Sequence, residues 1–143
     1  MSRKRHEVQS SKSNIELALS KERTGRVGLD IMRKKGVGQH VLDEIRKDVA
    51  ESMLSALRYY LLAGAYQNAK QLLERFRNVS WLSEEENAEL SINKLKIQLV
   101  EGDLDEVEPR AQDWLRLCKE RGWRRLQTLV ARLLSTLGKM VEG

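Results

Sequence analysis

Two histidines, His6 and His40, one cysteine, Cys118, and the run Glu84, Glu85 and Glu86 are the side chains with the most chemistry to offer. A thiol beside an imidazole would make a nucleophile, and clustered carboxylates with histidine would hold a metal. The spacing argues against both. His6 and His40 lie far from Cys118 in the chain, one in a polar leader and one at the start of a helical pattern. Cys118 falls in register with Val107, Ala111 and Trp114, so it is expected as a small core side chain rather than a reactive thiolate. The glutamates follow Ser83, and Ser83 with Glu86 fits a capping box, in which two side chains satisfy free N–H groups at a helix start. Negative charge there also suits the positive end of the helix dipole. Trp81, Trp114 and Trp123 would suit ligand stacking, but their positions beside apolar stripes and connections point to packing. No G-x-x-x-x-G-K-[ST], G-x-S-x-G or H-E-x-x-H sequence occurs, and a lone cysteine cannot form an internal disulfide. The expectation is a non-enzymatic protein with no cofactor and no metal.

Charge is the next candidate for chemistry. The net charge of +5 is uneven: residues 1–35 hold 10 Lys or Arg against 4 Asp or Glu, and residues 36–143 hold 16 against 17. A basic leader can hold phosphates without reading sequence. Within "DIMRKKGVGQHVLDEIRK", Asp30 to Lys47, a basic turn at Gly36 separates two apolar patterns, as in a helix-turn-helix. Arg3, Lys4, Arg5, Arg33, Lys34, Lys35, Gln39 and Arg46 are therefore candidate nucleic-acid contacts, and a DNA-binding regulator using residues 29–47 is the alternative function. Fewer than thirty residues precede that stretch, where such domains need a longer helical scaffold. The plainer expectation is a loop entering one long helix from Gln39.

The elements that must position these residues are helical. Hydrophobic residues make up 41% of the chain and charged residues 33%, with one proline and few aromatics, a composition that favours helix over sheet. No apolar run approaches the ~18 residues of a membrane span. The basic N-terminus is not followed by the apolar block of about 7–15 residues that a secretory signal needs. A cytoplasmic, reducing setting is expected, with no membrane partner. Residues 1–14 have no apolar period and are expected as a flexible basic arm. Residues 15–38 are expected as an irregular basic lead-in: Ile15, Leu17 and Leu19, then Val27, Leu29 and Ile31, recur every second residue, and glycines 25, 28, 36 and 38 interrupt them. From Gln39 the apolar spacing of three and four becomes regular, in Leu42, Ile45, Val49, Met53, Ala56 and Tyr60. Further helices carry Ala69, Leu72, Leu73 and Phe76, then Ala88, Ile92, Leu95 and Leu99, then Val107, Ala111, Trp114 and Cys118, then Leu126, Val130, Leu133 and Leu137. Asp103 with Glu106 offers a helix-start signal, and Pro109 predicts a kink or a late start.

The phrases "LLAGAYQNAKQLLERF" and "LVEGDLDEVEPRAQDWL", with a shorter "LGKMVEG", repeat one punctuation. They align on Gly64, Gly102 and Gly138, at steps of 38 and 36 residues, with Ala69 and Val107 each five positions after the glycine. A fixed period of this length predicts helical hairpins that bury their flanks by stacking. "GAYQNA" resembles the G-x-Y-x-x-A turn of tetratricopeptide repeats, with Tyr66 at the aromatic position and Ala69 at the small one. Residues 40–143 as a whole are similar to the sensor repeats of maltose-regulator, LuxR-type bacterial activators. The resemblance implies an all-α fold of antiparallel helical hairpins stacked as a short tetratricopeptide-like solenoid over 39–143. It also implies an interaction module in bacterial regulation, binding a protein, peptide or effector in a concave groove. A structural subunit of a larger assembly is a further alternative. Counting back from the three glycines places Glu51 and Arg58, Glu89 and Lys96, and Arg125 and Arg132 on equivalent outward rows. Arg58, Lys96 and Arg132, extended by Arg125, would form a cation ladder for an acidic partner, because guanidinium grips carboxylate and phosphate in two-pronged fashion. Solvated charges sharing a register by chance are the plain alternative.

Overall fold

The computed structural model describes residues 2–142, and the side chains of residues 12–142. The regular elements among them are six α-helices: α1 (Ser2–Met32), α2 (Gln39–Leu62), α3 (Tyr66–Phe76), α4 (Glu84–Val100), α5 (Val107–Arg121) and α6 (Arg124–Glu142). The all-α class is as expected. The helices form two compact units, Met1–Leu82 and Ser83–Gly143, so the division falls inside the segment 39–143 that the repeat pattern takes as one domain.

The first unit holds α1, α2 and α3. The polar leader and the lead-in, expected as arm and irregular chain, are one helix through Met32. Ile15, Ala18, Glu22, Gly25, Leu29 and Met32 follow a three–four spacing that places them on one side of a helix. Leu17, Leu19, Val27 and Ile31, which create the apparent alternation, are exposed. The glycines are not breakers. A Cβ at Gly25 would lie 2.5 Å from Met53 Sδ, and one at Gly28 would lie 2.4 Å from Val49 Cγ2. They let α1 lie close along α2. Gly28 opposite Val49, and Glu22 bonded to Tyr60, show the two helices running antiparallel over several turns. This is a long hairpin, with a turn leading into one long helix from Gln39 as in the plainer expectation for these residues. Helix α2 then buries Val49, Met53, Leu57 and Tyr60, and α3 adds Ala69, Leu72, Leu73 and Phe76.

The second unit holds α4, α5 and α6. Its start is the expected capping box: the Ser83 N–H donates to Glu86 Oε1 at 2.8 Å, and the Glu86 N–H donates to Ser83 Oγ at 3.1 Å. Helix α5 starts late, at Val107, which places Pro109 in the first turn where its missing N–H costs nothing. Glu106, not Asp103, is the residue before this helix, and its side chain makes no capping bond. The core is a single cluster that includes Ala88, Ile92, Leu95, Leu99, Val107, Ala111, Cys118, Leu126, Val130, Leu133 and Leu137, with Trp114 and Trp123 packed against it. Arg121 at the end of α5 meets Glu84 at the start of α4, so these two helices are antiparallel. Arg125 at the start of α6 meets Glu89 near the start of α4, so those two are parallel.

The repeated punctuation has a backbone basis at two of its three glycines. Gly64 and Gly102 adopt positive φ, 73° and 86°, the left-handed conformation in which a side chain would be strained. In both turns the next N–H donates to the carbonyl five residues back, Ala65 to Tyr60 at 2.8 Å and Asp103 to Gln98 at 3.0 Å. The glycine N–H donates three back, to Leu61 and to Leu99, at 3.1 Å each. This pattern closes a helix and satisfies its last carbonyls. Ala69 and Val107, five residues on, are both fully buried. The third glycine of the series differs: Gly138 lies inside α6 and ends nothing. The third turn of this type is instead at Gly122, with Trp123 N–H donating to Cys118 O at 3.0 Å.

Candidate functional site

The expected cations occupy unequal places. Arg58 is exposed on α2, in the first unit, while Lys96, Arg125 and Arg132 belong to the second. Lys96 is half-buried on α4, and Arg132 is exposed on α6. Arg125 serves the fold: its Nη2 donates to Glu89 Oε1 at 2.5 Å. Glu89, expected on an outward row, is only 2% exposed, which is a correction. It needs a cation because an isolated buried carboxylate is costly. Lys96 and Arg132 each lie seven residues beyond this pair on parallel helices, two turns further along the same faces. The glycine count did not reveal that Glu89 and Arg125 form an internal bridge.

The candidate nucleic-acid contacts also divide. The side chains of Arg3, Lys4 and Arg5 lie outside the described residues. Arg33, Lys34 and Lys35 are exposed where α1 gives way to the turn before α2. Gln39 and Arg46 both engage Asp43, Gln39 through a 2.9 Å hydrogen bond and Arg46 at 3.7 Å. A carboxylate thus sits in the middle of the face that a recognition helix would offer to phosphate-rich DNA.

The most organised polar cluster was not among the residues expected from sequence. Glu22 on α1 is 8% exposed. Its Oε1 accepts from the Tyr60 hydroxyl at 2.5 Å, and its Oε2 accepts from Arg26 at 2.8 Å and meets Arg75 Nη1 at 2.9 Å. One carboxylate thereby ties α1 to α2 and α3. The second unit repeats the device with Glu89 on its first helix and Arg125 on its third. The signal available in the sequence was the position of Glu22 within the three–four series from Ile15 to Met32.

Burial, and next the hydrogen bond to Glu22, push the Tyr60 hydroxyl up to about 12. A proton held more tightly in the folded state stabilises it fully below the pH of about 10 at which an unfolded tyrosine ionises. That contribution is lost as the pH rises through about 12. Keeping the proton across that interval is worth roughly 2–3 kcal/mol. Urea melts of the native protein and Tyr60→Phe should show a stability gap that closes between pH 10 and pH 12. A gap independent of pH would mean that neither burial nor Glu22 holds the hydroxyl's proton more tightly in the fold.

The remaining chemical candidates are placed by packing. Cys118 is fully buried, and that burial pushes its thiol up, with the nearby Glu85 charge adding to the effect. Among the described residues no group of three or more His, Cys, Asp or Glu is arranged to hold a metal. Glu84 pairs with Arg121, and Glu86 completes the capping box. Among the described residues no helix is long and apolar enough to cross a membrane. Comparison with family models, curated proteins and solved structures gives no match to the chain.

Proposed function

We propose that the chain is a non-enzymatic interaction module, built of tetratricopeptide-like hairpins stacked as a short solenoid and serving bacterial regulation in the cytoplasm. Its partner is an acidic protein or peptide; Arg58 in the first unit and Lys96 and Arg132 in the second are the cations offered to it, and Arg125 engages Glu89 two turns before the latter two. The observation that supports this reading is the duplicated turn. Gly64 and Gly102 carry the same backbone bonds and are each followed, five residues on, by a fully buried small or slim side chain. Repeats of that kind present one helix of each pair to a ligand.

Arg58→Ala and Arg132→Ala should each weaken the partner by about 1–3 kcal/mol, the range for a hydrogen bond to a charged group. For Arg132→Ala stability should change by no more than about 0.5 kcal/mol, as for other exposed positions. The check is affinity capture with native and doubly substituted bait, followed by titration of the captured partner. Equal binding by both would remove the cation row from the reading. A salt titration against random duplex DNA addresses the nucleic-acid alternative. A steep fall of affinity with salt, abolished by neutralising Arg33, Lys34 and Lys35, would move the function to the α1–α2 turn.

A further inference from the structure

A cleft of about 350 Å³ opens in the first unit, lined by Arg26, Leu29, Asp30 and Arg33 with Arg75 of α3. Its size lies at the lower end of the range for small-ligand sites, about 300–1,000 Å³. Three of its five lining side chains are guanidinium groups. Two of these are held in place from behind. Arg26 and Arg75 each commit one nitrogen to Glu22 Oε2, at 2.8 and 2.9 Å, and Glu22 is itself fixed by the Tyr60 hydroxyl. A guanidinium carries five N–H donors, so most of those on Arg26 and Arg75 remain for the cleft. Both side chains keep contact with water, at 52% and 37% exposure. Arg33 approaches Asp30 at 3.9 Å, and both of those side chains are largely exposed. An exposed pair at that distance is weak.

We propose that this cleft binds a phosphate monoester. Its phosphoryl oxygens meet Arg26, Arg33 and Arg75, and the esterified group lies against Leu29. The chemistry selects phosphate over carboxylate. Three guanidinium forks match the three terminal oxygens of a phosphate monoester, whereas a carboxylate offers two. Binding gains from preorganisation, because Glu22 has already restricted two of the three long side chains. Asp30 is the opposing element: it repels the incoming dianion and holds Arg33 at the rim. The site uses none of Arg58, Lys96 or Arg132, so it stands apart from the partner surface proposed above.

The test is titration of the full chain with inorganic phosphate, phosphoserine, serine and acetate, followed by backbone and arginine side-chain NMR. Phosphate and phosphoserine should give saturable shifts confined to residues 22–33 and 75, with phosphoserine binding at least as tightly as phosphate. Serine and acetate should leave those signals in place. Arg33→Gln, an exposed change outside the core, should weaken phosphoserine by about tenfold, as the loss of one charge-assisted hydrogen bond. Asp30→Asn should tighten it by about threefold, in line with the modest value of an exposed charge. The opposite signs of the two variants separate a built site from general attraction to a basic protein. The proposal is overturned if phosphate shifts nothing, if acetate matches phosphate, or if phosphate binds and phosphoserine does not. It is also overturned if both variants bind as the native chain does.

Discussion

Ala69→Asp is expected to cost roughly 3 kcal/mol or more and to lower the melting temperature of the first unit sharply. Ala69 is completely buried, on α3, five residues after Gly64. The side chains buried beside it in sequence are Leu72, Leu73 and Phe76, and Leu57, Tyr60 and Leu61 are among the buried residues of α2 in the same unit. An aspartate there must either carry a charge into apolar surroundings or take up a proton, and both oppose folding. The larger side chain adds overpacking, since a core at native density has no room for it. Thermal melts followed by far-ultraviolet circular dichroism check the result. Ala69→Gly, by contrast, should cost only about 1 kcal/mol, the usual helix penalty for glycine. An aspartate variant that melts like the native chain would show that the α2–α3 hairpin is packed in another register.

The helices whose apolar residues recur at three and four were legible from their spacing, because a single buried face dictates that period. Gln39 to Leu62 is of this kind; Glu84 to Val100 carries the same series in Ala88, Ile92, Leu95 and Leu99 but buries Leu90, Asn93 and Ile97 as well, and the Ser83–Glu86 box marked one boundary to the residue. Helix α1 was hidden for a physical reason. Its buried positions include Ala18, Glu22 and Gly25, which carry little or no apolar signal, while Leu17, Leu19, Val27 and Ile31 lie exposed and suggest alternation. Close helix approach selects small residues, and these resemble breakers when the partner helix is not in view. Gly138 misled in the opposite direction. A glycine closes a helix in this way only when it takes the left-handed conformation itself, and α6 simply continues through Lys139 to Glu142. The polar cluster at Glu22 was the least legible feature. A carboxylate on an apolar stripe is tolerable only with its partners, and Tyr60 and Arg75 come from two other helices.

Arg125→Ala should destabilise the second unit by about 2–3 kcal/mol, far more than removal of an ordinary surface arginine. The reason lies in the asymmetry of the pair. Arg125 Nη2 reaches Glu89 Oε1 at 2.5 Å, with the arginine side chain 55% exposed and the glutamate side chain 3% exposed. The arginine can return to water at little cost, but the glutamate cannot. Removing the cation takes from a buried carboxylate a counter-charge that helps to offset its desolvation. The exposed half of the bridge is screened by solvent, so the cost falls below the roughly 3–5 kcal/mol typical of a wholly buried pair, at about 2–3 kcal/mol. Glu89→Gln provides the control. It keeps the shape and a hydrogen-bonding oxygen while removing the charge, so the double variant Glu89→Gln with Arg125→Ala should be more stable than Arg125→Ala alone. Urea denaturation of the four proteins gives the coupling energy directly, expected at about 1–2 kcal/mol for residues in contact. Strict additivity would mean that the two side chains do not share their charge in solution. Arg132→Ala, two turns further along the same helix and exposed, should stay within about 0.5 kcal/mol of the native protein. A large loss at Arg132 with none at Arg125 would place the supporting bridge one heptad away from Glu89, and with it the register of α6 on α4.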